Sequence, residues 1–240
     1  MSSFPENTTV GLIFQGRYTL QPLMSYWGFM SAIRILAGNN VGVTPLMAET
    51  QTEGYQKAAR YFLDKTTHDY LIILDIDVTP PDYGLEYLIK AFESQEKCGV
   101  MAALTFWQPR ATPSLFQDAG EERVDDYTFH RYTPMMNVVG RHVVKYQDEA
   151  ERGEPLLMPQ TNDSIINVDV FNGGLFVTSR EVLKKMGQLA FHDREGASIG
   201  MFTNKVRTLG YSVKAALHII CSGGGVNHVD FLSYYGKPKG

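Results

Sequence analysis

The chain has 240 residues, of which 44% are hydrophobic and 20% charged, and its formal net charge is −4. That size and balance fit one soluble α/β domain with a large core, and they give no electrostatic case for a polyanion, so no nucleic-acid partner is expected. No apolar run is long enough to cross a bilayer, and Met1–Asn7 lacks the basic start and apolar stretch of a secretory signal. The expectation is a cytoplasmic protein without a transmembrane segment.

Val10 to Phe14 reads as a first strand ending in the loop Gln15-Gly16-Arg17. Leu23, Trp27, Met30, Ile33 and Leu36 recur at helical spacing, and Gly38-Asn39 supplies the stop. Val41 to Met47 reads as a second strand, with Glu49 just past its end. Thr50-Gln51-Thr52-Glu53 matches a capping box. It opens a helix whose apolar face is Tyr55, Ala58, Ala59, Phe62 and Leu63. Leu71-Ile72-Ile73-Leu74 then runs straight into Asp75-Ile76-Asp77 and is stopped by Pro80-Pro81. This third strand is continuously apolar, as a strand buried on both faces should be. Asp82 starts a helix lined by Leu85, Leu88, Ile89 and Phe92, and Val100 to Phe106 is a fourth strand. Strands alternating with helices predict right-handed crossovers and a parallel sheet. Residues 8–106 therefore read as a nucleotide-binding half.

Residues 107–166 break the rhythm with five prolines and an acidic cluster at Glu121-Glu122 and Asp125-Asp126. A few short strands or a hairpin are expected there, for instance around Val138 to Lys145. The polar-aromatic composition suits a surface that grips a polar ligand such as a sugar, or equally a solvated insertion. Ile165 to Val170 and Leu175 to Thr178 read as strand, interrupted by Phe171-Asn172-Gly173-Gly174. Paired glycines in such a setting imply a bulge or a backbone that a ligand approaches closely. Ser179 caps a helix that runs through Met186 and ends at Gly187. After the polar loop His192 to Gly196, Met201, Phe202, Val206 and Leu209 mark a last helix stopped at Gly210. Tyr211 to Ile220 is the last strand. Residues 107–220 read as a second half, and 221–240 as a flexible tail. Cys98 and Cys221 have no partner at metal-ligand spacing and read as buried free thiols in a reducing compartment.

The chemistry concentrates at the third strand. Ligands of open α/β sheets bind beyond the carboxyl ends of the strands. Asp75 and Asp77, two positions apart on an extended segment, point to the same side. Two carboxylates so placed can share a hard divalent cation that also binds a diphosphate. Alternatively, Asp75-Ile76-Asp77-Val78-Thr79 fits the Asp-x-Asp-x-Thr pattern of haloacid-dehalogenase-like phosphatases, with Asp75 as nucleophile. That motif ordinarily lies on the first strand, whereas two strand–helix units come first here, so position favours the metal.

Three segments together resemble the glycosyltransferases of the A fold, most closely the small family-2-type enzymes of bacteria, phages and other viruses. They are Tyr70 to Asp77 with Pro80-Pro81-Asp82, Val168 to Val182 with its glycine pair and Arg180-Glu181-Val182, and Phe202 to Tyr211 with the strand that leads towards His228. The resemblance implies a single-domain, Rossmann-like three-layer sandwich with a mostly parallel central sheet, covering 1–240. It implies transfer of a sugar from a nucleotide-diphosphate sugar, a UDP-sugar by preference, to a hydroxyl acceptor on a glycan or other polymer, with inversion and with Mn²⁺ or Mg²⁺. Asp75, Asp77 and His228 would be the metal set. Gln15, Gly16, Arg17, Glu49, Arg60, Gly173 and Gly174 would join Asp75 and Asp77 around the nucleotide sugar. A carboxylate such as Glu49 suits a uracil N–H or a ribose hydroxyl because it only accepts hydrogen bonds. The asparagine that usually follows the family's helix arginine is Tyr61 here. The family's acidic pair before the last strand falls on Ser198 and Ile199, so Asp193 and Glu195 are the nearest candidates for the general base. A catalytically degenerate nucleotide-sugar-binding module on the same fold is the non-enzymatic alternative.

Overall fold

The structure, a computed structural model, describes residues 7–15, 42–48, 50–75, 78–81, 84–107, 112–124, 127–135, 164–187, 190–191 and 199–223. The helix expected from Leu23 to Leu36 and the hairpin expected around Val138 to Lys145 lie outside these residues.

The first unit comprises strands β1 (Thr8–Gln15) and β2 (Gly42–Ala48), helix α1 (Gln51–Lys65) and strand β3 (Tyr70–Asp75). The short β4 (Val78–Thr79), helix α2 (Gly84–Glu93) and strand β5 (Cys98–Leu104) follow. After β6 (Phe106–Trp107) and β7 (Thr112–Pro113) come the longer β8 (Leu115–Val124) and β9 (Tyr127–Pro134). The chain then supplies β10 (Ile165–Asn167), β11 (Val170–Phe171), β12 (Leu175–Ser179) and helix α3 (Arg180–Met186). Helix α4 (Ile199–Thr208), β13 (Ser212–Ile220) and β14 (Ser222–Gly223) complete the described chain.

Local chemistry accounts for the helices. The Thr50 hydroxyl accepts the Glu53 N–H at 3.2 Å, and Glu53 also pairs with Lys57 one turn on. Ser179 caps α3 in the same way, and Gly187 closes it with φ 76° and ψ −164°, a backbone region essentially confined to glycine. The buried faces of α1 and α2 are those the spacing predicts: Tyr55, Ala58, Ala59 and Phe62 on one, Leu85, Leu88, Ile89 and Phe92 on the other.

The central sheet has seven strands in the order β10-β13-β5-β12-β3-β1-β2. Strands β2, β1, β3, β5 and β13 run one way, whereas β12 and β10 run the other. The sheet is thus largely parallel with a central exception. Strand β12 lies between β3 and β5, antiparallel to both. Asn172-Gly173-Gly174 leads into it from β11, which belongs to the smaller sheet.

The two faces of the sheet bury separate cores, giving three layers. Leu71, Ile73, Phe176, Val100 and Ala102 face α1, α3 and α4, around an aromatic cluster in which Phe176 meets Tyr55, Phe171, Phe191 and Phe202. Ile72, Leu74, Met101, Ala103 and Val177 face α2. Cys98 and Cys221 are both buried in this second core as free thiols. Burial pushes the Cys98 thiol up to about 12 and raises that of Cys221 further. No helix among the described residues is long and apolar enough to cross a membrane.

The irregular middle does contain a hairpin, at residues 115–134. Strands β8 and β9 pair antiparallel up to Val124 and Tyr127, and β11 adds to the other edge of β8. Glu121 and Glu122 therefore belong to a ladder. Ser222 and Gly223, the start of the expected tail, pair with Thr79 and Val78.

Candidate functional site

The carboxyl ends of β1, β2, β3 and β5 converge with the N-terminus of α1. Strand β1 has β2 on one side and β3 on the other, the arrangement that opens a crevice in an α/β sheet. In register, Ile13 of β1 lies opposite Asp75 of β3, and β1 runs two residues farther to Gln15, opposite Ala48. The last residue of β3 is Asp75, on the same face as Leu71 and Ile73 by strand alternation. Its side chain accordingly meets α1 and not α2.

Asp75 is only 4% exposed. Its Oδ2 accepts three hydrogen bonds: from Gln51 Nε2 at 2.5 Å, from the Tyr55 hydroxyl at 2.8 Å and from the Gly174 N–H at 2.8 Å. The Asp75 N–H in turn donates to the Gly174 carbonyl at 2.9 Å. A buried carboxylate requires such compensation, and hydrogen bonds to an ionised acceptor are the strong kind.

Gly173 and Gly174 have φ of 69° and 90°, a region that disfavours side chains. A Cβ on Gly173 would collide with the Tyr55 hydroxyl and the Gln51 amide, and one on Gly174 would lie 2.7 Å from Thr105 Oγ1. The atoms that approach these glycines belong to the protein's own side chains. Gly173 makes room for the two side-chain donors of Asp75, and Gly174 makes room for Thr105.

Beyond Asp75 the chain passes through Ile76 and Asp77 and is held again at Val78, which is 1% exposed and pairs with Gly223. The β4–β14 ladder is antiparallel, with Gly223 opposite Val78 and Ser222 opposite Thr79.

The structure brings Asp75, Gly173 and Gly174 together and places Gln15 at the end of the neighbouring strand. Arg60 is on the exposed face of α1. It lies nine residues along the helix from Gln51, about 13 Å at the usual rise. Gly16, Arg17, Glu49, Asp77, Asp193, Glu195 and His228 lie outside the described residues. Two other polar residues are accounted for by the scaffold. Asp169 accepts from Arg207 at 2.7 Å and from the Asp118 N–H at 2.8 Å, tying the small sheet to α4. His218 is buried with Nδ1 2.8 Å from Ser164 Oγ, a satisfied core histidine.

Sequence reasoning passed over Gln51 and Tyr55. Gln51 read as part of a cap and Tyr55 as part of an apolar face. Their i, i+4 spacing at the end of α1 nearest the strand ends was the available signal.

No protein-family pattern matches the chain, and no curated protein matches it in sequence. Solved structures do match in shape. The crystal structure of A197 from STIV superposes with a TM-score of 0.53 at 15% identity, covering 90% of this chain and 84% of that one. GalNAc-T7, solved with UDP, GalNAc and Mn²⁺, superposes with a TM-score of 0.50 at 11% identity over 90% of this chain. The chain has a glycosyltransferase A-like fold. It spans 43% of GalNAc-T7. At such identities the likeness is one of fold, and within the A-like fold the Asp75 cluster lies at the carboxyl ends of the strands, where ligands of α/β sheets bind.

Proposed function

We propose that this protein is a metal-dependent glycosyltransferase, moving a sugar from a nucleotide-diphosphate sugar to a hydroxyl on a glycan or other polymer, with inversion and with a UDP-sugar as the preferred donor. The observation that carries the proposal is the placement of Asp75. In an A-like fold it stands at the carboxyl end of β3, beside the crevice between β1 and β3 and two residues before Asp77.

Mn²⁺ or Mg²⁺ is the cofactor of this reading, supported by the two carboxylates of Asp75-Ile76-Asp77, oxygen donors of the kind a hard cation takes. Val78, next in sequence to Asp77, is the ladder partner of Gly223, five residues before His228. A carboxylate and an imidazole from these two segments would hold the ion, a pairing that suits Mn²⁺ in particular. When bound, such an ion offsets negative charge on the diphosphate as the nucleotide leaves. The protein's own groups do the rest. The Gln15-Gly16-Arg17 loop and Glu49 extend the ends of β1 and β2 and would flank the base and ribose, with Arg60 as the outermost of the set. Asp193 or Glu195 would take the proton from the acceptor hydroxyl.

The phosphatase reading asks Asp75 to attack phosphorus. Its Oδ2 is covered by three donors and the residue is almost fully buried, which is poor provision for a nucleophile.

Melting curves test the proposal, because a ligand that binds the native state raises its apparent stability. Mn²⁺ with UDP should raise the melting temperature of the wild type by several degrees, and Asp77→Asn should remove most of that rise. No shift with any nucleoside diphosphate would sink the transferase reading. A shift without hydrolysis or transfer of any sugar nucleotide would mark a binding module. Turnover of a generic phosphate ester, lost in Asp75→Asn, would restore the phosphatase.

A further inference from the structure

We propose that the outer face of α1, α3 and α4, in the half remote from Asp75, docks onto an anionic lipid surface. The residues at its centre lie outside the crevice, so this surface is independent of the transferase reading.

These three helices cover one face of the sheet and α2 covers the other. Their charges are unevenly shared. Helix α1 carries three cations and two carboxylates, α3 three and one, and α4 two and none, so eight oppose three. Helix α2 carries one cation and two carboxylates. The formal net charge of −4 averages this segregation away. A local surplus still acts on its own, because exposed charges beyond about 8 Å are largely screened at physiological salt.

The surplus extends to one end of the layer. Helix α1 runs into β3 and α4 runs into β13, two strands that point the same way. Both helices therefore finish at the amino edge of the sheet, and Asp75 lies at the opposite edge. Lys65 closes α1, Lys205 stands in the last turn of α4, and Leu209 follows that helix. Helix α3 bridges them. Its Arg180 holds the Phe62 carbonyl of α1, and its Lys185 donates to the Tyr211 hydroxyl, just past Leu209, at 2.6 Å. Lys65 and Lys184 are exposed and have no carboxylate partner among the described residues. Lys185 is balanced by Glu181 and Arg207 by Asp169, and Asp64 offsets part of the charge beside Lys65.

Cations alone would suit any polyanion. What selects lipid is the pair of apolar side chains set among them. Tyr61 and Leu209, each 39% exposed, are the exposed large hydrophobic residues of the described chain, and both fall here. At a bilayer surface lysine ammonium groups meet headgroup phosphates while apolar side chains enter the boundary beneath. A tyrosine suits that boundary, with a ring for the hydrocarbon edge and a hydroxyl for the headgroups. Docking here leaves the crevice open, since Tyr61 is ten residues along α1 from Gln51, about 15 Å at the usual rise.

Cosedimentation of the full chain with vesicles of phosphatidylcholine, alone or mixed with phosphatidylserine, tests the proposal. The wild type should bind the mixed vesicles and leave the neutral ones. Molar salt, with a Debye length of about 3 Å, should remove most of the binding. Lys65→Gln and Lys184→Gln should each weaken it about 3- to 5-fold. Tyr61→Ser with Leu209→Ser should weaken it about 5- to 20-fold. Lys90→Gln, on α2, should bind as the wild type does. Melting curves establish that each variant is folded, as substitutions at exposed positions ordinarily allow.

A wild type that ignores the mixed vesicles overturns the proposal. An equal loss in Lys90→Gln and Lys65→Gln does so too, because charge at large would then be responsible. Heparin bound as tightly as the vesicles, with the Tyr61 and Leu209 changes without effect, would make the face a polyanion site and not a lipid one. The melting shift with UDP and Mn²⁺ should be the same in Lys65→Gln and Lys184→Gln as in the wild type, so the docking surface and the transferase reading fail separately.

Discussion

At Gly174 two separate constraints fall on one residue, and they can be measured apart. Its φ of 90° would cost a side chain about 1–2 kcal/mol in any setting. Its surroundings add to this, since a Cβ would stand 2.7 Å from the hydroxyl of Thr105, which is itself fully buried. Overfilling a packed site of this kind costs about 1–3 kcal/mol. Gly210 has a similar φ of 80° with nothing within 4 Å of the added atom. Gly174→Ala should therefore lower the unfolding free energy by about 2–4 kcal/mol and Gly210→Ala by about 1–2 kcal/mol. Urea titrations of the two variants give the comparison. Equal losses would mean that Thr105 gives way and that only the backbone conformation matters.

Among the elements, the join between α1 and α3 depends on one side chain. The last carbonyls of a helix lack partners within it. Two of those of α1, on Phe62 and Leu63, find one in Arg180, the first residue of α3. Its guanidinium donates to the carbonyls of Phe62, Thr66 and His68 and to the Thr66 hydroxyl, and it lies 4.2 Å from the centroid of the Phe62 ring. Burial holds the Arg180 pKa below its ordinary value, and the group still has donors in several directions to meet this fan of oxygens. Arg180→Ala should cost about 2–4 kcal/mol in urea, at the strong end for hydrogen bonds to a charged group. Arg180→Lys should recover less than half of it, because an ammonium cannot span the same oxygens. A lysine variant as stable as the wild type would show that charge alone supports the join. The sequence displayed Arg180 only as the opening of Arg180-Glu181-Val182 at a helix start. Its partners lie 112 to 118 residues earlier, and no local pattern encodes that distance.

The same division between local and distant runs through the whole molecule. The caps at Thr50 and Ser179, the stop at Gly187 and the buried faces of α1 and α2 depend on neighbours within a turn or two, and the sequence states them directly. The carboxyl end of β3 was legible for the same reason, since Leu71 to Leu74 run unbroken into Asp75. The meeting of Gln51, Tyr55 and Gly174 on Asp75 was not, because it joins residues 20 to 99 positions away. The ladder of β8 with β9 was hidden by polar, exposed residues such as Gln117 and Asp118, which show no buried face to alternate. Strand direction was hidden too: Leu175 to Ser179 reads as a strand, yet nothing in those five residues says that it runs antiparallel between β3 and β5.

That insertion has a consequence for how the chain can be divided. A boundary near residue 106 separates two halves by sequence, but the central sheet does not respect it. Strands β3 and β5 belong to the first half and have no ladder to each other; β12, from the second half, joins them. Strand β13, also from the second half, covers the other edge of β5. Without them a fragment of residues 1–110 would expose both edges of β5 and one of β3, in strands whose residues Leu71 to Leu74 and Val100 to Leu104 are fully buried in the intact protein. Unpaired, apolar edges of that kind recruit other chains more readily than they fold. The fragment should therefore show no cooperative urea transition and should aggregate at micromolar concentration, whereas the full chain should unfold in a single transition. A fragment with dispersed amide resonances and its own sharp transition would mean that β1, β2 and β3 with α1 form a unit that stands without the inserted strand.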